Sequence, residues 1–513
     1  MDGQGWPRSA QAGRDMRAVE RLAPHRIAEV WTDQAANGLF RKHPEFSART
    51  GITPGQKLAA MTLTLLAFST IALFPASGWT GLQLAFALGF SALIALRLTA
   101  AACPPRWNEG PKLDDDELPI ITILAPVYQE ASVLDQLTQA LAAIDYPVSR
   151  LDIKIIMEAD DRETIKAARH CVFDSRFELV IVPPGLPRTK PRALNYGLHF
   201  ARGDIVTVYD AEDVPHPGQL RAAAAAFAAG DTALGCVQAP LNWYNHDRNW
   251  LTRQFALEYA IQFHAILPLL ARLGLPLPLG GTSNHFRREA LEAAGGWDAY
   301  NVTEDADLGF RLARLGYRSD VISLPTMEEA PENLGPWIRQ RSRWLKGYLQ
   351  SLAVQLRQPR HLPLRAMISL SLTLGAAVIS AFLHGPAIML FLGLLIMGNT
   401  ASLPAAGLLA CGYAASALCA AVAIRRAGLE TRAADLARMP LYWPLQAVAM
   451  LRALRELRDR PYFWAKTEHG FTKAPQPACP LPSPSSCKPS LSQLLPSAPG
   501  GQARIRTRQK VRA

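Results

Sequence analysis

The sequence predicts an α/β domain built on a mostly parallel sheet and flanked by transmembrane helices. Three observations carry that prediction. Between Pro119 and about Thr326, short β-rich apolar runs alternate with helix-period segments. Upstream, two adjacent uncharged apolar runs are each about long enough to cross a bilayer. The mean hydropathy of +0.04 over 513 residues lies between the values of a soluble enzyme and of a pure transporter.

Residues 1–56 are polar and basic, with Arg8, Arg14, Arg17, Arg21, Arg26, Arg41, Lys42 and Arg49 among few acids. No short apolar stretch with a small-residue cleavage site opens the chain, which argues against a secretory signal. Residues 57–98 hold the first apolar pair. Leu58–Phe74 is bracketed by Lys57 and Pro75, and Trp79–Leu96 ends at Arg97. Basic residues crowd the outer flanks and the link carries none, so the positive-inside bias puts the N-terminus and everything after Arg97 in the cytosol. This predicts a multi-pass protein of a bacterial-type inner (plasma) membrane. A buried helical hairpin is the alternative.

Residues 115–345 read as the soluble domain. Strands are expected at Ile120–Leu124, Ile153–Met157, Leu179–Val182 and Ile205–Tyr209, separated by helices at Ser132–Ile144, Arg162–Phe173 and Arg192–Ala201. In such sheets ligands sit beyond the C-terminal ends of the strands. Residues 346–456 turn apolar again after Pro363, with strong runs at Leu364–Leu383, Pro386–Met397 and Leu403–Ile424 and a weaker one at Met439–Leu451. The first stretch reads either as one span kinked through His384-Gly385-Pro386 or as two. Residues 470–513 read as a disordered basic tail suited to anionic lipid. The net charge of +11 collects at membrane flanks and tails, which argues against nucleic acid. The seven cysteines show neither CxxC pairs nor metal-ligand spacing, and no GxxxxGK[ST] loop supports a nucleotide triphosphatase.

The chemistry is expected at the strand ends. The first strand runs into Pro126-Val127-Tyr128-Gln129-Glu130, where Pro126, Tyr128 and Glu130 suit a base-binding loop. The second ends in Glu158-Ala159-Asp160-Asp161, which a solvated acidic turn would also explain. The fourth ends in Asp210-Ala211-Glu212-Asp213. Carboxylates packed this closely repel unless a cation sits among them, and a hard divalent ion such as Mg²⁺ or Mn²⁺ answers that need. An exposed turn is the bland alternative. Lys190 and Arg192, in Thr189-Lys190-Pro191-Arg192-Ala193-Leu194-Asn195, precede a helix where a diphosphate could be met. Thr303-Glu304-Asp305 opens another helix. Thr303 suits an N-cap, and Asp305 could serve as a general base kept ionised near the helix N-terminus. In Gln340-Arg341-Ser342-Arg343-Trp344, Arg343 could neutralise a leaving diphosphate and Trp344 could stack on a sugar, although an interfacial basic helix fits too.

In this order, PVYQE, EADD, TKPRALN, DAED, GGTSN (Gly280–Asn284), TED and QRSRW resemble family 2 glycosyltransferases. The resemblance is closest to the processive, cellulose-synthase-like membrane members, over about residues 60 to 470. It implies a GT-A fold and a D-x-D metal element at Asp210 and Glu212, with Asp213 able to share that duty. Glu at the third position departs from the pattern. It further implies Asp305 of TED as catalytic base beside Glu304, and Gln340, Arg343 and Trp344 as the QxxRW element. Glu158, Asp161, Lys190, Asn195 and Asp210 are expected at the nucleotide-sugar. The reaction so implied is an inverting transfer from a UDP-sugar, by default UDP-glucose, to a growing polysaccharide, with secretion partner subunits. Transfer of one sugar to a lipid acceptor and a non-catalytic membrane component are the rivals.

Overall fold

The computed structural model describes residues 19–21, 25–171, 176–398 and 403–464. The expected basic tail lies outside these residues, as does most of the sequence before His25. The sheet strands are β1 (Val19–Arg21), β2 (Ile121–Val127), β3 (Leu151–Glu158), β4 (Phe177–Val182), β5 (Ile205–Val208), β7 (Leu234–Gln238), β9 (Asn284–Arg287) and β10 (Arg318–Val321). Three shorter strands, β6 (Val214–Pro215), β8 (Leu241–Trp243) and β11 (Thr326–Glu328), form a separate sheet ordered β6-β11-β8.

The large sheet is ordered β1-β4-β3-β2-β5-β9-β7-β10, and all its pairings are parallel except the two made by β9. This is the mostly parallel α/β sheet expected of a GT-A domain. Near-continuous apolar runs such as ITILAPV are what a strand buried on both faces requires. The charges that do enter the sheet are compensated. Lys154, wholly buried on β3, lies 2.7 Å from Asp152 and also pairs with Glu178 on β4.

Successive strands β2, β3 and β4 step to one side of the sheet, whereas β5 lies on the other side of β2. The connections after β2 and β5 therefore diverge and leave a crevice at their C-terminal ends. Antiparallel β9 brings a third segment there, because Asn284 pairs with Val208 at the end of β5. Gly280–Ser283 thus borders the same crevice as Asp210.

Among the described residues, four helices are long and apolar enough to cross a membrane: Pro54–Leu73, Pro75–Ala102, Leu364–Leu394 and Leu403–Arg426. The first starts at a capping box between Thr53 and Gln56, with Pro54 in the first turn. Phe74 alone separates it from the second. Leu63, Phe68, Leu88 and Met389 are each more than two-thirds exposed. Leaving such side chains in water forgoes roughly 1.5–3 kcal/mol apiece, so this surface calls for lipid.

The first apolar stretch after Pro363, read from sequence as one kinked span or as two, forms one continuous helix. It passes through a π turn at Ser371–Gly375 and carries Pro386 inside Ala376–Ile396. The expected weak span at Met439–Leu451 is corrected. It breaks at Trp443 and Pro444 into Met439–Tyr442 and Leu445–Asp459. The latter packs on the domain, where buried Lys346 reaches Glu456 at 3.2 Å.

Candidate active site

A cavity of about 2460 Å³ begins at the crevice and continues between the apolar helices. Its wall includes Pro126, Tyr128, Glu130, Glu158, Lys190, Asp210, Glu212, Glu304, Asp305, Gln340, Arg343 and Trp344. These side chains, all singled out from sequence, therefore meet in one space.

At its centre Lys190 pairs with Asp210 and donates to the Gly281 carbonyl at 2.7 Å. A Cβ built on Gly281 would lie 3.4 Å from Asp305 Oδ2 and 3.9 Å from Lys190 Nζ. The DAED strand end, the Lys190 helix and the TED turn thus converge on the glycine pair. Burial opposes the charge on Lys190, but Asp210, Glu304 and Asp305 outweigh it and raise its pKa.

The acidic cluster is more differentiated than its sequence suggests. Asp210 and Glu212 face the cavity. Asp213 turns inward and is fully buried; it accepts from the Asp210 N–H at 2.8 Å and from the Thr282 hydroxyl. Its other oxygen is buried without a hydrogen-bond partner. Burial, then repulsion from Asp210 and Glu212, pushes its pKa well above the usual carboxylate range. Among the described residues, no group of three or more acidic, His or Cys side chains is arranged to hold a metal. The donor set still fits Mg²⁺ or Mn²⁺, because such ions are commonly held by one or two carboxylates plus substrate phosphates.

Thr303, expected as a capping side chain, makes no cap hydrogen bond; its hydroxyl turns toward Asn301. Glu304 and Asp305 are nonetheless in the first turn of Glu304–Arg314. Burial, then the charge on Asp305, pushes the Glu304 carboxyl up to about 8, against the pull of Lys190 and Arg343. Burial also raises Asp305, while the Ala306 N–H, Lys190 and Arg343 hold it down. Burial thus works against ionisation at both carboxyls of this tightly packed pair.

The helix Leu334–Gln355 carries Gln340, Arg343 and Trp344 to this turn. Gln350 accepts from the Val302 N–H at 3.1 Å, Asn301 donates to Ser351 at 3.0 Å, and Gln355 donates to Asp307 at 2.9 Å. Gly347 makes the approach possible, since a Cβ there would lie 2.3 Å from Thr303 Oγ1. Arg343 donates to the Val302 carbonyl at 3.4 Å, and its guanidinium lies 4.4 Å over the Trp464 ring. Trp344 packs against Phe255 and Tyr259, with the Arg341 guanidinium 4.4 Å over its ring.

Two expected nucleotide contacts are placed elsewhere. Asn195 donates to the carbonyls of Ala35 (3.0 Å) and Trp297 (2.7 Å) and accepts from the Trp297 N–H. Its amide is committed to holding the N-terminal helix on the domain. Asp161 caps the helix Arg162–His170 and accepts from the Gln129 N–H. It braces the PVYQE loop, where Gln129 has a φ of 54°, and does not reach the cavity. Arg192 is buried against Glu158, so only Lys190 of the two expected cations reaches the cavity.

Glu328 and Arg341 were not singled out from sequence. Glu328 ends β11 beside Asp213, lines the cavity and keeps one buried oxygen unpaired. Burial, then Asp213, Glu212 and Asp210, pushes its pKa well up. The Glu328-Glu329 doublet after a β-rich stretch was the available signal. Arg341 fixes Trp344 while bound to Glu258 at 2.7 Å.

Residues 119–347 match the profile described as "Glycosyltransferase like family 2". Among curated proteins, the chain is 29% identical over 249 residues to the "Probable glycosyltransferase YdaM" of Bacillus subtilis (strain 168), covering 47% of this chain and 57% of that one. It is 27% identical over 280 residues to the beta-monoglucosyldiacylglycerol synthase of Synechocystis sp., covering 53% and 56%. It is also 27% identical over 246 residues to the cellulose synthase 1 catalytic subunit [UDP-forming] of Komagataeibacter xylinus, covering 47% and 32%. The chain thus spans little more than half, or less, of the length of these relatives. The stretch that carries the crevice, the acidic strand end, the TED turn and the QRSRW helix is a family 2 glycosyltransferase domain.

Proposed function

We propose that this chain transfers a sugar, by default glucose, from a UDP-sugar to a growing polysaccharide at the cytosolic face of a bacterial-type inner membrane. The observation that carries this reading is the single cavity joining Asp305 and Asp210 to the space between the apolar helices. The donor enters at the strand ends, where Pro126, Tyr128, Glu130 and Glu158 line the wall. The acceptor comes from the membrane side and passes Gln340 and Trp344.

Asp305 takes the proton from the acceptor hydroxyl as that oxygen attacks the anomeric carbon, giving inversion. Arg343 and Lys190 balance charge on the departing diphosphate. Asp210 and Glu212 would hold Mg²⁺ or Mn²⁺, braced by Asp213, and the ion would add charge neutralisation at the same diphosphate. Inward-facing Asp213 is assigned to support, not to ligation. Secretion subunits would complete export of a polymer.

The apolar wall between the helices favours a second reading, single transfer to a lipid, the kind of acceptor in the name of the Synechocystis relative. Membranes incubated with labelled UDP-glucose separate the two by product size: a ladder or long polymer against one lipid-linked sugar. A panel of other UDP-sugars tests the donor. If no UDP-sugar supports either transfer or metal-dependent donor hydrolysis, the enzymatic reading fails.

A further inference from the structure

On the cavity wall between the apolar helices, four elements bring a polar cluster together. Arg97 comes from Pro75–Ala102, His384 from Ala376–Ile396, Tyr413 from Leu403–Arg426, and Trp443 from the break before Leu445–Asp459. The Arg97 guanidinium lies 5.5 Å from the Trp443 ring centroid. Tyr413 stacks on the same indole at 5.2 Å and 15°, and His384 meets it edge-on at 5.7 Å. His384 Nε2 and the Tyr413 hydroxyl are 2.5 Å apart.

Arg97 has no ion pair or hydrogen bond among the described residues. The carboxylate whose field reaches it, Glu258, is already bound to Arg341 at 2.7 Å and accepts from the Tyr442 hydroxyl at 2.8 Å. An uncompensated cation in an apolar wall needs an anion. A simple interfacial anchor would point its charge outward to headgroup water. Arg97 instead faces the cavity, against an aromatic ring.

We infer that this cluster seats the headgroup of a membrane lipid carrying a phosphate. The Arg97 fork matches phosphate oxygens, the Tyr413 and His384 pair offers further hydrogen bonds, and Trp443 closes one side. The lipid chains lie along the apolar wall formed by Leu82, Phe86, Phe90, Leu390 and Leu408. A neutral polymer strand would leave the Arg97 charge unanswered. The inference rests on the helices crossing a membrane and is independent of which acceptor receives the sugar.

Native mass spectrometry of the full chain, purified in detergent and stripped of lipid, tests it. The chain is titrated with dioleoyl phosphatidylglycerol, with dioleoylglycerol as the same chains lacking phosphate, with inorganic phosphate and with a neutral cello-oligosaccharide. One phosphatidylglycerol should be retained, at least tenfold more tightly than dioleoylglycerol. Arg97→Gln should weaken that retention at least tenfold, and Arg97→Lys no more than threefold. Tyr413→Phe, a milder change that keeps the packing, should weaken it about threefold. Equal retention of the two lipids, wild-type retention by Arg97→Gln, or displacement by the oligosaccharide would overturn the inference, the last assigning the cluster to a polymer. Displacement by inorganic phosphate at equal concentration would assign it to a free anion instead. Donor hydrolysis by the unmodified protein, measured in parallel, reports on the glycosyltransferase reading alone.

Discussion

Glu304 and Asp305 share one buried turn, and the proposed mechanism gives the role of base to Asp305. Asp305→Asn keeps the shape but removes the base, so transfer should fall at least ~100-fold while UDP binding, read by calorimetry, stays close to wild type. Normal turnover in that variant would end the assignment. Glu304 gives a stability prediction with a defined sign. Its folded pKa of about 8, raised first by burial and then by Asp305, stands above the ~4.3 of an unfolded glutamate. Its stabilising contribution is therefore complete below about pH 4.3 and is lost as the pH rises through 8. Glu304→Gln should melt higher than wild type at pH 9, with little difference at pH 5; an equal offset at both would contradict the burial of this charge. Much of this was legible in sequence, because strand-end acids and the TED turn are local signals. Glu328 was not, since it reaches the cluster through pairing of β11 with β6, from over a hundred residues away along the chain. Asn195 misled for the same reason: its partners Ala35 and Trp297 lie 160 and 102 residues off.

Among the elements, the helix Leu334–Gln355 matters most, because it carries the QRSRW side chains and is fastened to the residues just before Asp305. Gly347→Ala forces a methyl into the Thr303 side chain, and overpacking of this kind costs about 1–3 kcal/mol. The expected outcome is a transfer rate ~10-fold lower with the metal and UDP affinities little changed, measured by single-turnover assay. Unaltered transfer would mean that this contact does not set the position of Asp305. Regular elements with strong patterns were readable: the four expected strands are all present, with ends shifted by at most three residues. The Met439–Leu451 run was not: it is broken at Trp443 and Pro444, and it buries Met439, Tyr442, Ala449 and Met450 while Leu441, Val448 and Leu451 stay exposed. Periodicity over so short a stretch does not distinguish the two environments.

At the scale of the molecule, four crossing helices would return the chain to its starting side twice. Single-cysteine variants at Glu109 and Glu430, in a background lacking other reactive thiols, should therefore be labelled from the same face of oriented vesicles. Labelling from opposite faces would remove one crossing from the arrangement. The junction at Phe74 carries a further consequence. With one residue between Pro54–Leu73 and Pro75–Ala102, this pair can enter a bilayer as a closed hairpin that drags no hydrophilic cargo through the hydrocarbon. Its far end would barely emerge, leaving an antibody, protease or glycan nothing to grip there and keeping nearly all recognition of this half of the protein on the side where the donor is made.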